Sequence, residues 1–459
     1  MIQSIHEFQR PFFIGIAGTG MSAIAQYLQG IGKEVSGSDR FFKPGEPNET
    51  KEKLEAEGIG CFVQDGSGIH AGTDLVVVST AVEDTVEEVQ KARQMNIPII
   101  RRSELLAIIA SSKKTIAVGG TSGKSTTSAM LFDILEYAGL QPSIISGAGL
   151  ISIIREGRIG NAKVGKGEWL VIEADESDGS IVQYKPEIGL VLNVDKDHKE
   201  IDVLMEVFTR FRENSRRFIV NQSHPLARQL SQDSSCDFSI NEIPAGYQAK
   251  DFIQLGMSIS FRIQEIPFHL QLAGRHNMEN AVAAATVAAE TGVSLQTSAQ
   301  ALAKYEGIYR RHQLLGKKNG VYLIDDYAHN PVKCAAAIEA CQPIANKVIA
   351  WFQPHGYGPT KFLRTDFVKE IAQVLRDEDE IWMSEIFYAG GTATKDISSG
   401  DLINDLQALG KKAFFVEDRN KLLQAVRPHF THDCVLLLMG ARDPSLEQFA
   451  KNTWAALGN

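Results

Sequence analysis

Little in this chain would tie it to a membrane, a metal cluster or a polyanion. Five cysteines, Cys61, Cys236, Cys334, Cys341 and Cys434, are scattered through 459 residues. Their number is odd and no CxxC pair occurs. That argues against a disulfide framework or a zinc site and leaves isolated thiols in a reducing compartment. No apolar run approaches the ~18 residues needed to cross a bilayer. The segment from Met1 to Glu7 has no basic stretch and no small-residue cleavage pattern. Basic excess is lacking too: 47 Lys and Arg face 56 Asp and Glu, a formal charge of −9. An acidic balance disfavours nucleic acid as a partner, although a loop can still hold a small anion. The expectation is a soluble, cytoplasmic protein with neither nucleic acid nor membrane as a partner.

What is present suits buried cores: 44% of residues are hydrophobic and 22% charged, ordinary for globular chains. At ~150 residues per domain the length implies about three domains. Short apolar strands followed by helical stretches recur throughout, which reads as α/β with mainly parallel sheets. The first unit runs over 1–111, with strands at Phe12–Ile14, up to Asp39, and at Asp74–Ser79. Polar Ser111-Ser112-Lys113-Lys114 leads into a second unit, 112–313, with strands at Thr115–Val118, Trp169–Ile172 and Ile188–Leu192. Residues 221–249 read as irregular, and 280–290 as a helix. A boundary is expected near His312 to Asn319. The third unit, 314–459, has strands at Val321–Ile324, Lys347–Trp351, Glu380–Met383 and Cys434–Leu438, and a closing helix near Leu446–Leu457.

The sharpest local signal is Gly119-Gly120-Thr121-Ser122-Gly123-Lys124-Ser125-Thr126-Thr127, set between a strand and a helix. Backbone amides in such a turn face inward and hold phosphate oxygens, helped by the positive end of the helix. Lys124 is placed to reach the β/γ-phosphates of ATP and the Ser125 hydroxyl to ligate Mg²⁺. The spacing departs from the strict P-loop, which would need glycine at Val118. Acidic Glu173-Ala174-Asp175-Glu176-Ser177-Asp178 and Asp195-Lys196-Asp197-His198 each follow a strand, where ligands of open parallel sheets lie. These acidic residues and the histidine are therefore candidates to ligate or orient Mg²⁺.

A second turn, Gly18-Thr19-Gly20-Met21-Ser22-Ala23, satisfies GxGxxA, and Asp39 follows Gly18 by 21 residues. This is dinucleotide-type spacing, with pyrophosphate at the helix start and a carboxylate near a ribose or base. Alone it fits NAD, FAD or a UDP-linked substrate, so an oxidoreductase is a rival reading. A hydride-transfer enzyme, however, has no use for an ATP-type loop about a hundred residues downstream.

These motifs, in this order, resemble the Mur ligase family. The likeness runs through Gly15–Ser22, Ser36–Asp39, Ser79-Thr80-Ala81, Ile97–Glu104, Gly120–Thr127, Glu173–Ser177, Asp197-His198, Gly274–Asn277 with Asn280-Ala281, Arg310-Arg311, Asp325–Pro331 and Phe352–His355. The resemblance implies three domains: a Rossmann-like UDP-binding domain, a central P-loop-type ATPase domain and a C-terminal Rossmann-like domain that takes the amino acid. It further implies an ATP-dependent ligase that joins a carboxylate to an amine through an acyl phosphate. Within the family the residues are similar to the branch that adds L-alanine to UDP-N-acetylmuramate, a peptidoglycan precursor.

By this likeness the catalytic positions are Lys124, Glu173 and His198. ATP is held by Gly120, Thr121, Gly123, Lys124, Ser125, Thr126, His276, Asn277, Arg311 and Asp326. The UDP-sugar lies at Gly18, Thr19, Gly20, Met21, Ser22, Ser38, Asp39, Ser79 and Thr80. His329 and His355 belong to the amino-acid and interdomain motifs, and Mg²⁺ to Ser125, Glu173 and His198. Oligomeric state is left at monomer or homodimer.

The chain departs from the L-alanine branch at several places. Ser122 stands for a histidine, Ser125 for a threonine, and Ala328 and Asn330 for a glycine and a histidine. Gly356 and Pro359 lie where the family loop carries arginines; Lys361, Arg364 or Arg442 would be the substitutes. No lysine occurs between Val203 and Arg217, where several Mur ligases place a carbamylated one; this absence suits the L-alanine branch. The alternatives are a sister ligase using the same UDP-sugar with another amino acid or a tripeptide, and a nucleotide-binding regulator without ligase activity.

Overall fold

The computed structural model describes residues 2–79, 82–177, 179–196, 200–388, 390 and 394–458. In the first sheet, β1 (Pro11–Ile14), β2 (Ser36–Asp39), β3 (Gly60–Val63), β4 (Leu75–Val78) and β5 (Ile99–Arg101) run parallel in the order β3-β2-β1-β4-β5. Helices α1 (Thr19–Gly30), α2 (Glu49–Ala56), α3 (Glu87–Gln94) and α4 (Arg102–Ser111) connect them. Phe12, Phe13 and Ile14 are fully buried. A parallel strand covered on both faces needs a continuous apolar run, which is how β1 reads. Strand order reverses beside β1, so the glycine turn that follows it opens on the crevice where such sheets bind ligands.

The second sheet has the order β11-β10-β6-β9-β7-β8. Its strands are β6 (Lys114–Gly119), β7 (Ser143–Ile145), β8 (Ala162–Lys163), β9 (Trp169–Glu173), β10 (Ile188–Val191) and β11 (Arg217–Val220). The helices are α5 (Lys124–Tyr137), α6 (Ile151–Ile154) and α7 (Ile201–Asn214). In α7 the buried residues are Leu204, Phe208 and Phe211, spaced four and three apart on one helical stripe. Because β10, β6 and β9 are neighbours, the loops after all three emerge side by side.

The stretch read as irregular contributes strands. β12 (Phe238–Ser239), β13 (Tyr247–Leu255), β14 (Ser258–Ile263) and β15 (Ile266–Leu270) make a small sheet in that order. Its buried Asp237 accepts from Val220 N at 2.8 Å and Gln222 Nε2 at 2.7 Å. Helices α8 (Arg275–Glu290) and α9 (Leu295–Leu302) follow.

The third sheet comprises β16 (Gln313–Lys318), β17 (Val321–Asp326), β18 (Lys347–Gln353), β19 (Glu380–Met383), β20 (Ala413–Phe415) and β21 (Cys434–Gly440), ordered β16-β17-β21-β18-β19-β20. Its helices are α10 (Pro331–Cys341), α11 (Tyr357–Phe362), α12 (Arg364–Val374), α13 (Ser399–Ala408), α14 (Leu422–Val426) and α15 (Leu446–Ala456). The segment near His312 to Asn319, where a boundary is expected, contains an antiparallel edge strand. β16 pairs with β17 across Lys318 and Val321. Asn319 and Gly320, at φ 51° and 82°, form the Asn-Gly two-residue hairpin turn whose twist suits flanking strands.

The chain forms two compact units. The first contains Met1–Lys250, Arg262–Phe268 and Glu279–Tyr309, and therefore both of the first two sheets. The second contains Asp251–Phe261, His269–Met278 and Arg310–Asn459. Asn161, fully buried, links the segment before β8 to the first turn of α1. Its Nδ2 donates to Thr19 O at 2.8 Å and Ser22 Oγ at 3.0 Å, while its Oδ1 accepts from Gln26 Nε2 at 2.6 Å.

Among the described residues the cysteines are all free thiols, and no helix is long and apolar enough to cross a membrane. One acid sits uneasily in the first unit. Asp133 on α5 is pushed up to about 7 by burial and then by Glu306, against the pull of Lys163. A folded-state value above the unfolded one means that stability is lost as pH rises from about 4 to about 7. Asp133→Asn removes this penalty. Its melting temperature should exceed the parent's at pH 8 and match it near pH 4; equal shifts at both pH values would contradict the assignment.

Candidate active site

The turn after β6 is shaped by two glycines. Gly120 has φ +131° and Gly123, which caps α5, has φ +85°, a region that favours glycine. A Cβ on residue 123 would collide with Asn280 Oδ1. Asn193, following β10, closes the turn from the other side: its Oδ1 accepts from Ser122 N at 2.8 Å and Thr121 Oγ1 at 2.9 Å, and its Nδ2 donates to Ser122 O at 3.2 Å. Thr121 Oγ1 also accepts from Asp195 N at 3.0 Å. Thr126 lies half-buried in the first turn of α5.

Lys124 and Ser125 then enter α5 aimed at the acid loop that follows β9. Lys124 Nζ donates to Gly120 O and to Glu176 Oε2, both at 2.7 Å. Burial alone would lower the lysine's affinity for its proton; Glu176, Asp175 and Glu173 outweigh it and hold Lys124 above the ordinary value. Lys124 is therefore charged throughout the neutral range. Asp175 is the mirror case: burial pushes it up, but Lys124, Ser177 and Arg102 bring it below the usual carboxylate range.

Ser125 Oγ donates to Glu173 Oε2 at 2.9 Å. The other oxygen of Glu173 accepts from Ser146 Oγ at 2.8 Å and Gly147 N at 2.6 Å. One hydroxyl and one immobilised carboxylate are the hard oxygen donors that Mg²⁺ prefers. Among the described residues no three His, Cys, Asp or Glu side chains cluster to hold a metal by themselves. His198, with Asp197, lies outside the described residues, and so does Asp178 of the acid loop. Nearby, His224 Nε2 lies 3.2 Å from Asp195 Oδ1.

The turn after β1 is also braced by a carboxylate. Gly15 N and Ile16 N donate to Ser38 O at 2.8 and 3.0 Å. Asp39 is buried, its Oδ2 accepting from Ala17 N at 2.9 Å and its Oδ1 from Phe41 N at 3.0 Å. Gly18 caps α1, and Thr19, Gly20, Met21 and Ser22 form its first turn. Met21 and Ser22 are buried, and the Ser22 hydroxyl donates to Thr19 O at 3.1 Å. Ser38 is fully buried. Ser79 follows β4 at the same end of the sheet; Thr80 and Ala81 lie outside the described residues.

In the second unit, Asp326 at the end of β17 accepts from His312 N and Ala328 N, both at 2.7 Å. Burial would raise its carboxyl, but His312, Arg311 and His276 hold it below the ordinary range. His276 is lowered to about 4 by burial and then by His312, its ring 6.1 Å from that of His312. Asn277 Nδ2 donates to Ala273 O at 2.7 Å. Arg311 lies over the Tyr327 ring at 4.7 Å. His329 is lowered to about 3, first by burial and then by Lys333, so it is neutral and its Nδ1 donates to Tyr327 O at 3.0 Å. The His355 ring is 5.6 Å from that of His329.

The replaced loop residues have local roles. Asn330 caps α10 by accepting from Lys333 N at 2.9 Å, with Pro331 at the first helical position. Gly356 caps α11 at φ +75°. The substitutes expected for the missing arginines are engaged: Arg364 forms a fork on Asp405 at 2.7 and 3.0 Å, and Lys361 pairs with Asp396 at 2.5 Å. Arg442 is exposed. Sequence reasoning missed Asn193, Asn161, Ser146 and His224. Each is a lone polar residue without a motif, and only Asn193, just before Asp195, carried a positional hint.

Three family models match in succession: Mur ligase family, catalytic domain, over residues 12–114; Mur ligase middle domain over 118–288; and Mur ligase, glutamate ligase domain over 310–442. UDP-N-acetylmuramate--L-alanine ligase of Carboxydothermus hydrogenoformans is 33% identical, covering 94% of this chain and 93% of its own. The enzyme of that name from Aquifex aeolicus is 36% identical over 96% of each. The crystal structure of UDP-N-acetylmuramate-alanine ligase MurC from Thermotoga maritima superposes with a TM-score of 0.78 at 24% identity, covering 97% of this chain and 99% of that one. A murein peptide ligase from Psychrobacter arcticus gives 0.68 at 20% identity, over 98% and 99%. With three successive domain models matched and relatives above 30% identity along nearly the whole length, the chain belongs to the Mur ligase family.

Proposed function

We propose that the protein joins L-alanine to the lactyl carboxylate of UDP-N-acetylmuramate, converting ATP to ADP and phosphate. The observation that carries this reading is the meeting of Lys124, Ser125 and Glu173 at the ends of adjacent strands, in a chain whose relatives are named for that reaction.

A carboxylate is a poor electrophile, because attack by an amine would have to expel oxide. Transfer of the γ-phosphoryl group to the carboxylate oxygen gives an acyl phosphate; the amine then attacks its carbonyl carbon and phosphate leaves. The first step brings two anions together. The start of α5 and the Lys124 ammonium neutralise the phosphates where charge develops. Mg²⁺, held at Ser125 Oγ and Glu173 with His198 as a further ligand, would add charge neutralisation there. Glu173, fixed by Ser146 and Gly147, needs no rearrangement to present Oε2. The glycine turn after β1, with Ser79 and Thr80, receives the UDP part, and His276, Asn277, Arg311 and Asp326 receive the adenosine. His329, neutral and with a fixed tautomer, suits a hydrogen-bonding role toward the amino acid.

A second reading, the same UDP-sugar with another amine, is favoured by one feature: Lys361 and Arg364 are already paired with Asp396 and Asp405. Phosphate release with ATP, Mg²⁺ and UDP-N-acetylmuramate, measured against a panel of amino acids and the tripeptide, separates them. L-alanine dependence is expected; tripeptide dependence selects the second reading, and silence across the panel contradicts both. Lys124→Ala should lower turnover by about 10³-fold or more. It also strips buried Glu176 of a counter-charge, so the variant should melt lower. Adding Glu176→Gln should restore melting without restoring turnover. Near-normal turnover of Lys124→Ala would refute the role given to the lysine.

A further inference from the structure

Glu104 Oε2 accepts from Arg101 N at 2.9 Å, closing the first turn of α4 and fixing Arg102 at the end of the sheet where the glycine turn lies. The Arg102 side chain runs against the first turn of α1. A Cβ on residue 20 would lie 3.1 Å from Arg102 Nη1 and 3.2 Å from its Cδ. Gly20 thus leaves room for a guanidinium. On its other side, α4 packs against the Ser180–Gln183 turn that follows the acid loop, and Arg102 is among the charges acting on Asp175.

One cation therefore stands between the start of α1, where the pyrophosphate of a sugar nucleotide would lie, and the acid loop facing Lys124. A guanidinium offers five donors in a planar fork and can serve an anion bidentately. We propose that Arg102 is a positioning residue: it holds an anionic group of the acceptor, pyrophosphate or carboxylate, so that the acid to be activated is presented to the phosphate at Lys124. This rests on the reaction proposed above. Arg102 couples the two turns without taking part in bond making.

The test compares Arg102→Ala, Arg102→Lys and the parent protein by steady-state kinetics, with titration of UDP and of UDP-N-acetylmuramate. For Arg102→Ala the KM for UDP-N-acetylmuramate should rise about ten-fold or more, with the KM for ATP within about two-fold. The melting temperature should be unchanged, and lysine should recover part of the loss. Weakened UDP binding assigns the anion as pyrophosphate; weakening confined to UDP-N-acetylmuramate assigns it as the carboxylate. An unchanged KM, or parallel rises for ATP and acceptor with a lower melting temperature, would overturn the proposal. Should Arg102→Ala fail to fold, Arg102→Gln, which keeps the side chain's bulk but removes its charge, must give the same selective rise; no rise overturns the proposal. If the parent makes no product, the proposed reaction fails, and the UDP titration still decides whether Arg102 holds an anion.

Discussion

The site depends on burying a lysine among carboxylates. Lys124 is drawn into the protein beside Glu176, with Asp175 and Glu173 close enough to keep it charged. Neither the ammonium nor the carboxylates would be tolerated there alone, because each loses hydration that only the others replace. The Gly120 carbonyl completes the arrangement and ties the lysine to its own turn. The ammonium is thus desolvated and aimed, with a helix start beside it, an arrangement that suits an anion. Glu176 engages that cation at 2.7 Å.

The loops can assemble this way because β10, β6 and β9 are adjacent and parallel. Three segments distant in sequence, 120–123, 174–177 and 193–195, emerge at one end of one sheet. Asn193 and Ser146 then fix what the strands only bring near, the first by filling the turn with a side-chain amide and the second by immobilising Glu173. The turn after β1 follows the same logic with different chemistry: Asp39 accepts backbone amides and holds the loop's shape.

Much of this was legible in the sequence because parallel strands buried on both faces read as apolar runs, as in Phe12–Ile14 and Trp169–Ile172. The Gly120–Lys124 turn was legible because its glycines and lysine serve geometry that few residues supply. The short strands were not. β12 has two residues and β20 three, too few for any periodicity to register. The edge strand β16 was masked by its basic, polar composition, although Asn319-Gly320 announced the hairpin. Three α/β domains were legible because each repeats the strand-helix alternation; the buried Asn161, which bonds the segment before β8 to the first turn of α1, has no signature in a linear reading. Arg364 and Lys361 were expected to replace missing arginines, but their acidic partners, Asp405 and Asp396, lie 41 and 35 residues away.

The central claim is that an acid held by this protein is made reactive by phosphate taken from ATP at Lys124. The most direct measurement uses UDP-N-acetylmuramate with ¹⁸O in its lactyl carboxylate and follows the isotope during turnover. Activation through an acyl phosphate carries one labelled oxygen into the released inorganic phosphate. Amide formation with the label absent from phosphate would contradict the account.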